Sequence, residues 1–212
     1  ETISLPDSVI QIGDNAFYMC HVLNSVSIPS SVKVMGNRVF YSCRSLKTVE
    51  MGNFITSIGN EAFYFCDSLT SITIPDSVTF IGDSAFYNCD KLTQSSLPSK
   101  LKIIGARAFG GCDGLTKLVI PNSVTTIGDG AFEHCRELQR IEIGTGVQSI
   151  GNRLFNGCIR LTEPVFLGNA PRYIAENAFV GCGGYIYIKN WNSWSYEDKF
   201  LQLIPKKHLK IL

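Results

Sequence analysis

Cysteine recurs at positions 20, 43, 66, 89, 112, 135, 158 and 182, every 23 residues until a final step of 24. Self-similarity at a period of about 20 to 50 residues marks a repeat architecture, and it decides the fold before any local propensity does. The other columns keep the same step. Phenylalanine stands three residues before every cysteine, from Phe17 and Phe40 through Phe86 to Phe179. Glycine stands four residues before seven of those phenylalanines, with Ala175 in the eighth repeat. Two aliphatic columns come earlier still, Ile12 to Ile174 and Val9 to Val147.

Three residues after seven of the cysteines, leucine opens an alternation best seen in Leu69-Thr70-Ser71-Ile72-Thr73-Ile74-Pro75, which predicts a short half-buried strand. Prolines such as Pro29 and Pro75 end several of these strands, where a missing N–H removes no ladder bond, and Gly52, Gly144 and Gly168 end others. A shorter extended stretch follows, as in Val78 to Ile81, and then a corner. The acidic or amide residue there (Asp14, Asn37, Asn60, Asp83, Asp129, Asn152) is suited to cap a single helical turn carrying Ala, Phe and Cys. One such coil cannot bury its own apolar face, so the coils must stack like on like. The expected fold is a right-handed parallel solenoid of about eight coils over residues 1–188, with a β-sheet on one side and helical turns on the other.

Composition narrows the function classes. The 212 residues are 45% apolar and carry 19 Lys+Arg against 18 Asp+Glu, which argues against disorder and leaves no net field to attract nucleic acid or an anionic membrane. No run approaches the roughly 18 to 20 apolar residues of a membrane span. Glu1 to Ile10 has no charged stretch followed by an apolar one, so a targeting signal is expected outside this chain.

The unit LTSITIPDSVTFIGDSAFYNCDK, residues 69–91, resembles the BspA-like leucine-rich repeats of secreted and surface proteins of bacteria and protists. The resemblance spans roughly Thr2 to Gly184. It implies an extracellular or cell-surface location and a binding or adhesive role with no catalysis. Local departures stand out. Ser95 replaces a core aliphatic, Pro164 reads as the residue inserted to make the step of 24, and the pattern fades into an expected C-terminal cap at 189–212 containing Trp191 and Trp194.

Chemistry-bearing residues are few. The cysteines are expected as a buried column of reduced thiols, because equivalent residues in stacked coils point their Cβ atoms in parallel and free cysteine is a buried residue type. They lack the paired spacing and the tetrahedral arrangement of a zinc site. His21 and His134 adjoin Cys20 and Cys135, but neighbours on one turn face different ways, so no Cys-His pair is expected. Neither cofactor nor metal is expected. The strand residues flanking the core position remain, and their two columns run from Ser and Thr in the early rungs to charged and aromatic residues in the later ones. The candidate binding face is Lys117, Val119, Arg140, Glu142, Phe166, Tyr185 and Tyr187, since aromatic and Arg side chains are the usual interface anchors. A protein ligand is the expected partner, with no nucleic acid and no membrane insertion. The first strand has no capping segment before it, so the chain is expected either to be a fragment of a longer array or to self-associate through its N-terminal end. Two alternatives stand beside protein binding: a structural spacer of a larger surface protein, and a carbohydrate-binding module using the late aromatics.

Overall fold

The computed structural model describes residues 1–93, 96–169, 171–182, 186–188 and 209–211. They form a parallel β-solenoid of about seven turns. On one side the strands Thr2–Ser4, Ser25–Ser27, Thr48–Glu50 and Ser71–Thr73 pair in parallel at an offset of 23 residues. Lys117–Ile120, Arg140–Ile143, Glu163–Phe166, Ile186–Ile188 and Leu209–Ile211 form a second parallel run, at the same offset except between Glu163–Phe166 and Ile186–Ile188, where Val165 pairs with Tyr187 at 22. Among the described residues of the rung between the two runs, Ser96 makes an isolated parallel bridge to Val119. The expected weak rung at Ser95 lies outside the described residues. A second set of two-residue strands, from Gln11–Ile12 to Tyr173–Ile174, lines an adjacent side.

The core follows the sequence columns. Phe40, Phe63, Phe86, Phe109, Phe132 and Phe155 are fully buried, and so are the cysteines from Cys43 to Cys158. Each phenylalanine ring stacks on the next from Phe17 to Phe155, at 5.1 to 5.2 Å as far as Phe109 and 5.7 to 6.1 Å beyond it, and Phe179 lies tilted by 42° against Phe155 at 6.1 Å. Ile3, Val9, Phe17 and Cys20 of the first coil are only partly buried, because they have a neighbouring coil on one side alone.

Two expectations are corrected here. The segment around Ala-Phe-x-x-Cys is not a helical turn. Tyr18 N–H and Cys20 N–H bond within the coil to the carbonyls of Asn15 and Phe17, but Asn15, Phe17 and Met19 donate across to Asn37, Val39 and Tyr41 of the next coil. Alternate amides thus leave the coil, which a helix cannot do, and residues at two positions per coil take left-handed φ, for example Ser84 at 52° and Asn88 at 53°. The corner Asp and Asn residues accordingly do not cap a helix. Their Oδ1 atoms accept the backbone N–H of the next coil's corner, as in Asn37 to Asp14 (2.7 Å), Asp83 to Asn60 (2.9 Å) and Ala106 to Asp83 (2.7 Å). A substitution distinguishes turn from helix. Ser84→Gly should be neutral or stabilising in thermal melts, because glycine adopts positive φ without steric cost, whereas in a helix it would cost roughly 0.5–1 kcal/mol.

The second correction concerns the 24-residue step. Pro164 pairs with Ile141, Val165 with Glu142 and Phe166 with Ile143, so Pro164 is no insertion but occupies the core column. The offset is still 23 at Gly168, which lies over Thr145, and it has become 24 where Ser149 pairs with Tyr173. The extra residue therefore sits in the turn between Gly168 and Tyr173. The cap expected over 189–212 lies outside the described residues except for Leu209–Ile211, which pairs with Ile186–Ile188 at the repeat offset of 23.

Candidate functional site

In a parallel strand successive side chains alternate between core and solvent, so each strand offers one or two outward residues at a fixed pitch. Lys117 and Val119 flank the buried Leu118, and Val119 is 45% exposed. Arg140 and Glu142 flank the buried Ile141 one rung later. The Arg140 guanidinium is held from two sides: Nη2 donates to Glu142 Oε1 at 2.7 Å, and Nη1 donates to Glu163 in the next coil. Its orientation is thus set by two carboxylates on one partly exposed face.

Phe166 does not join this surface. The register that moves Pro164 into the core column moves Phe166 with it, and the ring is 2% exposed with its edge against Phe179 at 5.9 Å. Val165 takes the outward column in its place and is itself buried. The backbone of Tyr187 continues that column, paired with Val165. Tyr185, Trp191 and Trp194 lie outside the described residues. The structure brings together Lys117, Val119, Arg140 and Glu142 of the expected face.

The thiols lie on the inner side of the turns. Each cysteine from Cys43 to Cys158 donates its S–H to a phenylalanine carbonyl 26 residues earlier, at 2.9 to 3.2 Å. Burial pushes the Cys43 thiol up to about 12 and raises Cys66, Cys89, Cys112 and Cys135 as well. Thiolates are the reactive form, so these are inert groups. Cys20 and Cys182 are only partly buried, which departs from the expected uniform column. Labelling of the native protein with a thiol reagent should therefore show a fast phase at Cys20 and Cys182 and a slow one for the remaining six, with eight thiols counted in denaturant.

The turn side carries features that attention to the strands missed. His21 Nδ1 bonds the Ser42 carbonyl at 2.9 Å, not the neighbouring cysteine. Asp67, Asp90 and Asp113 stand in successive coils between Arg44 and Arg136. Burial first, and then the two flanking aspartates, raise the Asp90 carboxyl above its usual range. Arg38 grips Glu61 by two bonds of 2.9 and 3.1 Å. Beside that pair runs a stacked column of tyrosines, which is visible in the sequence as the residue after each of the repeat phenylalanines Phe17, Phe40, Phe63 and Phe86. Farther along, Gly130 opens a cleft of about 530 Å³ walled by Arg107, Glu133 and Arg153. Glu133 is nearly buried there and pairs with Arg107 at 2.9 Å. Among the described residues no group of three or more His, Cys, Asp or Glu is placed to hold a metal ion.

The comparisons with known proteins agree with this geometry. A leucine-rich-repeat protein of T. pallidum is 35% identical, with a TM-score of 0.70 over 76% of this chain and 77% of that one. A leucine-rich cell-surface protein of Faecalibacterium prausnitzii is 27% identical with a TM-score of 0.74, and the alignment covers 89% of this chain but 63% of that protein. A leucine-rich-repeat protein of Bacteroides ovatus, 22% identical with a TM-score of 0.55, shares the fold over the whole chain and 69% of its own length. Among curated protein sequences none matches. The sequence profile of the BspA-type leucine-rich-repeat region matches residues 1–113 and 79–196, and the chain belongs to that family.

Proposed function

We propose that the chain is a non-enzymatic protein-binding module of a cell-surface or secreted protein, with adhesion as its broad role and the strand face around Lys117, Val119, Arg140 and Glu142 as its contact surface. The observation that carries this reading is the change in that face along the solenoid. Thr2, Ser25, Thr48 and Ser71 give way to Lys117, Arg140 and Glu163, with an exposed valine between them. Beside the exposed Val119, the charged side chains Arg140, Glu142 and Glu163 already hold one another in orientation and so lose little side-chain entropy on binding. The name of the F. prausnitzii relative, a cell-surface protein, supports the location.

The test is a binding panel of immobilised extracellular-matrix and serum proteins and of glycans, probed with the intact chain and with the double variant Lys117→Ser, Val119→Ser. Loss of tenfold or more in affinity for a protein binder, about 1.4 kcal/mol, is the expected result. Binding to glycans alone, or a protein binder indifferent to the substitutions, contradicts the reading. A spacer role is the second reading, favoured by the surface of the early rungs, which is Ser and Thr apart from Glu50. It takes the lead if nothing in the panel binds.

A further inference from the structure

Tyr18, Tyr41, Tyr64 and Tyr87 stack face to face along the turn side of the first four coils. Their ring centroids are 4.9, 4.9 and 5.1 Å apart, with interplanar angles of 14°, 4° and 12°. Tyr18 is 43% exposed and the other three are half-buried. The column ends at Gly110, over which the Tyr87 ring lies so closely that a Cβ there would sit 2.8 Å from the ring. Packing alone accounts for a stack of rings. The phenol oxygens add a chemistry that the parallel phenylalanine column lacks.

We propose that this ladder is a site of oxidative tyrosine coupling, in which neighbouring coils become joined by dityrosine links. One-electron oxidation of a phenol with loss of its proton gives a phenoxyl radical. Its unpaired spin sits partly on the ortho carbons, in orbitals perpendicular to the ring. Two such radicals form their new C–C bond through those orbitals, so parallel rings in contact already hold the reacting lobes towards each other and the step needs little reorganisation. Each ortho hydrogen then moves to its phenol oxygen as the ring regains aromaticity. In sum two phenols give one biaryl and release two protons and two electrons. An oxidant of the haem-peroxidase class takes these up, with one hydrogen peroxide reduced to two waters.

The geometry also selects a pair. The finished biaryl requires its rings to turn out of the stack. Tyr18, at the end of the ladder and the most exposed of the four, has room to turn. Tyr64 and Tyr87 are held by the edge of Phe65, at 4.7 and 6.5 Å. Burial and the two neighbouring phenols push the Tyr64 hydroxyl up, in keeping with its more enclosed place in the stack. The Tyr18 to Tyr41 link should therefore form first.

The experiment treats the intact chain at micromolar concentration with a haem peroxidase and equimolar hydrogen peroxide. Expected products are dityrosine fluorescence in a monomer that has lost two hydrogen atoms, and a peptide map joining the Tyr18 and Tyr41 segments. Tyr41→Phe keeps a stacked ring, so its melting temperature should match the parent. Its monomer dityrosine yield should nevertheless fall by at least half, and the Tyr18 link should be absent. Tyr173, 59% exposed, is the more accessible phenol and separates geometry from accessibility. Products that follow exposure, whether dimers or links through Tyr173, overturn the proposal. So does oxidation without monomer dityrosine, or a Tyr18 link that survives in Tyr41→Phe.

Discussion

Phe86→Ala should lower the stability of the folded chain by about 3–5 kcal/mol, through lost burial and the cavity left behind. The Phe86 ring is fully buried and lies between Phe63 at 5.2 Å and Phe109 at 5.1 Å. Both neighbours are anchored by their own coils, so the gap cannot close by a side-chain shift. In a solenoid each coil touches only its neighbours, and a void in one coil weakens the coupling of the two halves it joins. Thr73→Ala provides the contrast. Thr73 is exposed beside the buried Ile72, and its truncation should stay within about 0.5 kcal/mol. Denaturant midpoints measure both, and equal shifts would contradict the inward and outward assignment.

Gly59→Val should cost on the order of 3 kcal/mol or more, the upper end of overpacking effects, because the obstacle is backbone. A Cβ at Gly59 would stand 2.2 Å from the Gly36 carbonyl oxygen of the preceding coil and 3.0 Å from the Asn37 nitrogen. No rotamer relieves such a contact. The corner glycine column is thus explained by the close approach of successive coils. Gly13, with nothing within 4 Å of its would-be Cβ, is the internal control. Gly13→Ala should leave the melting temperature nearly unchanged. A tolerated Gly59→Val would mean that the corners are farther apart than the stack requires.

The stack itself was legible because a 23-residue period cannot be satisfied without placing like residues on like, and burial of Phe40 to Phe155 and Cys43 to Cys158 follows from that alone. The turn conformation was not legible. Left-handed φ is usually announced by glycine or asparagine, and here Arg38, Glu61, Phe65 and Arg107 adopt it as well. Their strain is offset by the hydrogen bonds to the next coil that the conformation permits, a tertiary cause that no local pattern records. Phe166 was misplaced for a similar reason. A proline in a strand invites reading as an insertion, yet the ladder accepts Pro164 in register with Ile141 and the extra residue falls in the following turn. That one-residue error turned a buried ring into an expected ligand contact. For Lys117, Val119, Arg140 and Glu142 the alternation was enough, since those strands keep the offset of 23.

Side-chain footprinting with hydroxyl radicals, on the chain alone and with a protein binder from the panel, tests most directly whether the strand face is the contact surface. Val119 is an exposed aliphatic side chain and reports on that face. Tyr18 reports on the turn side. The expected result is strong protection at Val119 with Tyr18 unchanged. Protection at Tyr18 with Val119 still fully labelled would place the partner on the opposite side of the solenoid and contradict the proposed function of the strand face.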